Sequence, residues 1–189
     1  MALLELGTEN KREIMSNIKT KVVHSENPTE HWSDIESVQD KVVMDLGCGW
    51  LFQEHESTPE YFINRGAKHL IGVETACGEI EKLKELFPTH TFICKTILST
   101  DDLIQLFTEY KPQVIKMDIE GYESVIENMD ASHWESIEEI GVEYHNPTCK
   151  SILETKLVEF GFEITNLNQF GWFCTDTNIM GILHAKRKI

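Results

Sequence analysis

The sequence predicts an α/β fold, a mostly parallel sheet with helices on both faces and an antiparallel strand near the C-terminus. Three observations carry that expectation. Short runs of aliphatic and β-branched residues alternate with amphipathic stretches from about residue 41 onward, the rhythm of strands joined by crossover helices. The first run, Lys41-Val42-Val43-Met44-Asp45-Leu46-Gly47-Cys48-Gly49, passes into a carboxylate and two glycines one residue apart, the pattern of a buried parallel strand ending in a tight turn. A second apolar run, Leu70-Ile71-Gly72-Val73, ends in the acid Glu74.

Taken in order, residues 1–40 are polar and helix-leaning and read as an N-terminal helical extension, with a helix from about Asn10 to Val22. Asn27-Pro28-Thr29-Glu30 reads as a turn into a second short helix. His24, His31 and Trp32 fit surface or packing roles better than a substrate entrance. After Gly49 the segment Trp50 to Glu56 is a loop, able either to fold over a ligand or to pack on the sheet edge. Ser57-Thr58-Pro59-Glu60 starts a helix, with Thr58 able to cap, Pro59 in the first turn and Ser57 with Glu60 resembling a capping box. That helix ends at Arg65-Gly66, before the Leu70 strand. Glu79 to Phe87 is helical, Thr91 to Cys94 a third strand, and Asp101 to Tyr110 a helix capped by Thr100 or Asp101.

A fourth strand from Val114 to about Asp118 puts Lys116 and Asp118 on one face, with Glu120 following. Gly121 permits a sharp exit into a helix over Tyr122–Asn128, where Glu123 suits the first turn. Ile140 to Pro147 is a fifth strand with Glu143 and His145 on a common face. Ser151 to Phe160 is helical, and Phe162–Thr165 with Asn178–His184 forms the terminal antiparallel pair. Between them Phe170-Gly171-Trp172-Phe173 reads as core.

Composition narrows the function classes. With 189 residues, 41% hydrophobic and 26% charged, the chain fits one soluble domain spanning 1–189, with the α/β core over 41–189. A net charge of −15 disfavours a nucleic-acid surface, since only Lys186-Arg187-Lys188 clusters cations, and that tail reads as solvated. The five cysteines, Cys48, Cys77, Cys94, Cys149 and Cys174, are odd in number, widely spaced and free of any Cys-x-x-Cys pair. They read as reduced thiols in a cytoplasmic protein. No apolar run approaches the ~20 residues of a membrane span, and the N-terminus does not read as a secretory signal.

The chemistry gathers at two places. Glycine at positions 47 and 49 leaves room for close backbone approach to a ligand, and a strand-end acid such as Glu74 can accept hydrogen bonds from ribose hydroxyls. Together they point to a nucleoside cofactor. The fingerprint of a nicotinamide enzyme is missing, because Phe52 stands where its third glycine would fall. The second place is Val114-Ile115-Lys116-Met117-Asp118-Ile119-Glu120-Gly121-Tyr122-Glu123 with Glu143 and His145, where three charged groups on a buried strand demand pairing or use.

Asp-x-Gly-x-Gly, Glu74, Thr100-Asp101-Asp102-Leu103-Ile104, the Lys-x-Asp-x-Glu-Gly-x-Glu run at 116–123, Val142-Glu143-Tyr144-His145 and Phe160-Gly161-Phe162 together resemble the FkbM-type methyltransferases over roughly residues 41–165. The chain departs from that pattern at Gly47-Cys48-Gly49-Trp50 and in a shorter stretch between Glu74 and Asp118. The resemblance implies a Rossmann-like class I fold dependent on S-adenosylmethionine, transferring methyl to a hydroxyl of a sugar, glycan or natural-product small molecule. The expected cofactor-binding residues are Asp45, Gly47, Cys48, Gly49, Glu74, Thr96 and Asp118. His145 assisted by Glu143 is the first choice of general base, with Asp118 and Glu120 as further candidates. In a second version Mg²⁺ sits on Asp118, Glu120 and Glu143 and lowers the hydroxyl pKa. Lys116 pairs with one of these acids if part of the cluster is structural. A competing class is a non-catalytic S-adenosylmethionine-binding or assembly module.

Overall fold

The structure, a computed structural model, describes residues 19–23, 32–49, 57–170 and 180–188. Among the described residues eight strands form one sheet: β1 (Lys19–Val23), β2 (Val42–Leu46), β3 (His69–Glu74), β4 (Thr91–Cys94), β5 (Val114–Met117), β6 (Glu139–Tyr144), β7 (Phe162–Phe170) and β8 (Gly181–Arg187). Their spatial order is β1-β7-β8-β6-β5-β2-β3-β4. Pairs β2–β3, β3–β4, β2–β5, β5–β6 and β1–β7 are parallel, and β8 runs antiparallel to both β6 and β7. The chain therefore winds outward from β2 in both directions. A crevice opens where the winding reverses, at the carboxyl ends of β2 and β5.

Helices α1 (Thr58–Asn64), α2 (Cys77–Leu86), α3 (Thr100–Tyr110) and α4 (Pro147–Glu159) lie between the strands, with 3₁₀ turns at Glu123–Asn128 and Ala131–Trp134. The caps fall at or within a residue or two of expectation. Ser57 caps α1 by accepting from the Glu60 amide at 3.3 Å, as its spacing to Glu60 suggested, and Thr58 is the first residue of the helix. Ser99, rather than Thr100 or Asp101, caps α3 in a capping box with Asp102. Asn146 caps α4 through its Oδ1, which accepts from the Cys149 amide at 2.8 Å, and Pro147 opens that helix in its first turn. The predicted helix after Gly121 is a tighter 3₁₀ turn.

Both faces of the sheet are buried. On one, Trp134 stacks on Phe160 at 4.8 Å between ring centroids and meets Phe107 edge-on at 5.3 Å. On the other, Trp32, Ile35 and Val38 pack with Phe62, Leu70 and Phe92. Trp32 is thus a core residue and lines no entrance.

Two expectations are corrected. Residues 19–23 form a strand where the helix from Asn10 was to continue, because they pair with β7 from Lys19 opposite Asn166 to Val23 opposite Phe170. Thr20, Val22 and Val23 are β-branched and suit that role, and the distant partner overrides the local helical pattern. Cys77 and Cys94, expected to be reduced, are joined in a disulfide with their Cα atoms 5.0 Å apart. The β3–β4 register places Glu74 opposite Cys94, only three residues ahead of Cys77, a proximity that sequence spacing conceals. Cys48 and Cys149 are free and buried. The rest of the predicted first helix, the Asn27–Glu30 turn, His24, His31, the Trp50–Glu56 loop, Cys174 and the Gly171–Phe173 run lie outside the described residues. Among the described residues no helix is long and apolar enough to cross a membrane.

Candidate functional site

A cleft of about 190 Å³ lies at the carboxyl ends of β2, β3, β4 and β5, bordered by Gly47, Glu74, Thr75, Thr96, Asp118 and Glu120, with Val73, Ile97, Ile119 and Tyr122 as apolar wall. Gly47 is obligatory there. Its φ is +78°, and a Cβ would overlap the Asp118 carbonyl oxygen, so the β2 turn and the β5 exit can touch only if position 47 has no side chain. Gly49 is similarly confined, since a Cβ would come within 2.6 Å of Glu74 Oε2. Glu74 ties two loops together: Oε2 accepts from the Gly49 amide at 2.9 Å, and Oε1 accepts from the amides of Thr75 at 2.7 Å and Ala76 at 3.0 Å. A carboxylate offers about four acceptor positions, so acceptor capacity remains toward the cleft. Thr96 joins Glu74's loop through a hydroxyl contact with Thr75 at 2.5 Å.

Asp45 and Cys48, expected to touch the cofactor, sit beneath the loop and do not border the cleft. Asp45 is fully buried and pairs with buried Lys116, whose Nζ lies 3.1 Å from Oδ1. Lys116 also donates to the Gly47 carbonyl at 2.6 Å, lies 3.8 Å from Asp118 and stands 5.2 Å over the Trp32 ring. Burial raises the Asp45 pKa, with Lys116 opposing it in part. Burial pulls Lys116 downward, yet Asp45 and Asp118 outweigh it and the ammonium is held above its ordinary value. This ion pair bolts β2 to β5 and fixes the glycine turn, which makes it structural. Cys48 is packed against β3, where a Cβ on Gly72 would meet its sulfur at 2.8 Å. Burial pushes its thiol pKa well up.

Beyond Asp118, one donor atom from each of Asp118, Glu143 and His145 lies within 4.8 Å of the others. The structure thus brings together three of the four predicted catalytic residues. Glu120, the fourth, stands on a left-handed turn (φ +54°) with its side chain 88% exposed and its Oε2 3.6 Å from His145 Nε2. The residue that sequence reasoning missed is Glu123. It is fully buried, accepts from the Ile119 amide at 3.1 Å and the Gly121 amide at 3.2 Å, and lies 3.3 Å from His145 Nδ1. Cys149 Sγ also contacts its Oε2 at 3.8 Å. Glu123 is thus the acid beside His145 Nδ1, with Glu143 also in the cluster. Its signal was present as the last acid of the Lys-x-Asp-x-Glu-Gly-x-Glu run, but a first-turn glutamate reads as solvated until its burial is seen.

The electrostatics follow from that packing. Burial and the facing Asp118 carboxylate push Glu143 up to about 9. Burial alone would lower His145, but Glu123 overrides it and holds the imidazole at about 9. Burial raises Glu123, and the contacts with His145 and the Gly121 amide more than reverse it, so its carboxylate stays ionised. At neutral pH the ligand-free cluster therefore carries protons on both Glu143 and His145.

No protein-family model and no curated protein matches the chain. Solved structures share its fold. A candidate hemolysin from Lactococcus lactis superposes with a TM-score of 0.57 at 10% identity, covering 84% of each chain. A ribosomal protein L11 methylase from Lactobacillus delbrueckii subsp. bulgaricus gives 0.51 at 12% identity over 85% of this chain and 77% of that one. A precorrin-6y C5,15-methyltransferase from Geobacter metallireducens GS-15 gives 0.50 at 12% identity over 99% and 94%. Likeness at these identities shows the fold, which is Rossmann-like with a C-terminal antiparallel strand. Two of these three proteins bear the names of methyl-transferring enzymes.

Proposed function

We propose that the chain is an S-adenosylmethionine-dependent methyltransferase of FkbM type that methylates a hydroxyl on a sugar, glycan or natural-product small molecule. The observation that carries this reading is a cleft bordered by a side-chain-free turn and a strand-end carboxylate, with Asp118 both on its border and in the neighbouring acid–imidazole cluster of Glu143 and His145. The residues present fit the cofactor. Gly47 and Gly49 leave the backbone open, Glu74 retains acceptor capacity for ribose hydroxyls, Thr96 adds a hydroxyl, and Ile97, Ile119 and Tyr122 offer apolar wall for a base. S-adenosylmethionine supplies, when bound, an electrophilic methyl group on a sulfonium. The protein's own work is to hold the acceptor hydroxyl in line and to take its proton.

Asp118 lies at the junction of cleft and cluster, and Glu143 and His145 face it from β6 and the turn that follows. His145, the expected base, can accept a proton only after losing the one that Glu123 stabilises. Transfer by the metal-free protein therefore accelerates as pH rises through about 9, with an apparent pKa that belongs to the cluster as a whole. The test is calorimetric titration with S-adenosylmethionine and S-adenosylhomocysteine, followed by transfer of labelled methyl to a panel of sugar and glycan hydroxyls. Micromolar binding that weakens in Glu74→Gln supports the reading. Absence of binding to either compound by the intact chain overturns it.

A further inference from the structure

We infer that Asp118, Glu143 and His145 form a binding site for one divalent transition-metal ion such as Mn²⁺, Fe²⁺ or Co²⁺, preferred over Mg²⁺. Three features carry this. The set is mixed, two carboxylates and one imidazole from the end of β5 and the end of β6, with donor atoms within 4.8 Å of one another. Three donors bound at about 2.1 Å to one ion lie about 3.0–3.6 Å from one another, so side-chain shifts of about an ångström close the set. Its summed charge, two carboxylates and a neutral imidazole, balances a divalent ion.

Second, the imidazole has a buried carboxylate beside one ring nitrogen. Nδ1 lies 3.3 Å from fully buried Glu123, itself fixed by two backbone amides, so a carboxylate stands beside that ring nitrogen, while Nε2 has the exposed Glu120 carboxylate 3.6 Å away. A ligating histidine ordinarily donates its other ring N–H to such a partner. Third, Asp118 Oδ1 is buried with no hydrogen-bond partner other than the facing Glu143 carboxyl group, whose proton a cation would displace. A hard, strongly hydrated ion such as Mg²⁺ favours oxygen donors throughout, whereas imidazole suits the later first-row metals. The all-oxygen Mg²⁺ set of Asp118, Glu120 and Glu143 is less well assembled, because Glu120 stands on the solvent side. Metal binding rests on this geometry alone; its use in lowering the acceptor hydroxyl pKa rests on the methyltransferase reading.

The experiment uses the full chain, stripped with a chelator and titrated calorimetrically with MnCl₂, CoCl₂ and MgCl₂ in the absence of any cofactor. One site per chain, with Co²⁺ bound about tenfold or more tighter than Mg²⁺, is expected. The spin-echo modulation of bound Mn²⁺ should carry the nitrogen of an imidazole and lose it in His145→Ala. Glu123→Gln should weaken binding by about 10–100-fold. Glu81→Gln, on an exposed helix face, should leave binding unchanged. Should Glu123→Gln fail to fold by circular dichroism, the nitrogen signal of the unaltered chain decides. No saturable site, equal affinity for Co²⁺ and Mg²⁺, or bound Mn²⁺ without nitrogen overturns the inference. Metal binding without S-adenosylmethionine binding would leave this site standing and remove the methyltransferase reading, and the converse result would do the reverse.

Discussion

A methyl group at position 47 is the sharpest test of how the cleft is built. Gly47→Ala places a side chain at φ +78° and drives it into the Asp118 carbonyl oxygen, a backbone atom that cannot rotate away. The left-handed conformation costs about 1–2 kcal/mol for a non-glycine residue. Displacing packed backbone adds a similar amount, on the order of 1–3 kcal/mol. A total near 3 kcal/mol corresponds to a fall in Tm of about 6–12 °C for a chain of this size. Because the atom displaced belongs to Asp118, binding at the cleft should fall along with stability. Gly78→Ala is the internal control. That glycine lies in α2 with nothing within 4 Å of a Cβ, so alanine there should stabilise by about 0.4–1 kcal/mol. Differential scanning calorimetry of both variants reads the contrast. A Gly47→Ala protein melting within about 2 °C of the unaltered chain would refute the close approach of the β2 turn and the β5 exit.

Two further outcomes follow from the buried charges. Asp45→Asn and Lys116→Met should each destabilise by about 3–5 kcal/mol by leaving the other charge without its partner, and urea unfolding of the double variant should recover part of that loss; simple additivity would show that the pair is not coupled. Metal-free protein should lose stability as pH rises to about 9, from 4.5 upward through Glu143 and from 6.5 upward through His145 as well. His145 and Glu143 both bind protons more tightly folded than unfolded, so their contribution is complete below the unfolded values and gone above the folded ones. For His145 the rise from 6.5 to about 9 sets an upper bound of about 3 kcal/mol, which Glu123→Gln should largely abolish in denaturant titrations at pH 6 and pH 9. A flat pH profile would remove Glu123 as the partner of His145.

The central strands were legible because each combines an apolar run with a terminal signal that physics makes hard to avoid: glycines after β2, an acid closing β3, a glycine after β5. Those signals are local, and so is everything they specify. Glu74 and Gly47 were found for that reason. Asp45 was assigned to a ligand because a strand-end acid beside a glycine turn is compatible with either use. Only its burial against Lys116, contributed by a strand far along the chain, shows that its carboxylate is engaged in an ion pair beneath the turn. The contact of His145 with Glu123 was hidden in the same way, since the two meet only when β5 and β6 lie side by side. The strand at 19–23 failed for the related reason that its partner is a distant edge with no local trace. The disulfide depends on the β3–β4 register, which no count of cysteines contains.

The pairing of β1 with β7 also sets an order of events for the newborn chain. Lys19 emerges from the ribosome early, yet its partner Asn166 is synthesised only when most of the sheet already exists. Until then β1 has no strand beside which to lie. The N-terminal segment must wait through the assembly of β2 to β6, and the β7–β8 hairpin then supplies the edge it needs. Final closure of this sheet is thus a late step in biogenesis, and a chain cut short before β7 would leave its first strand looking for any other edge to join.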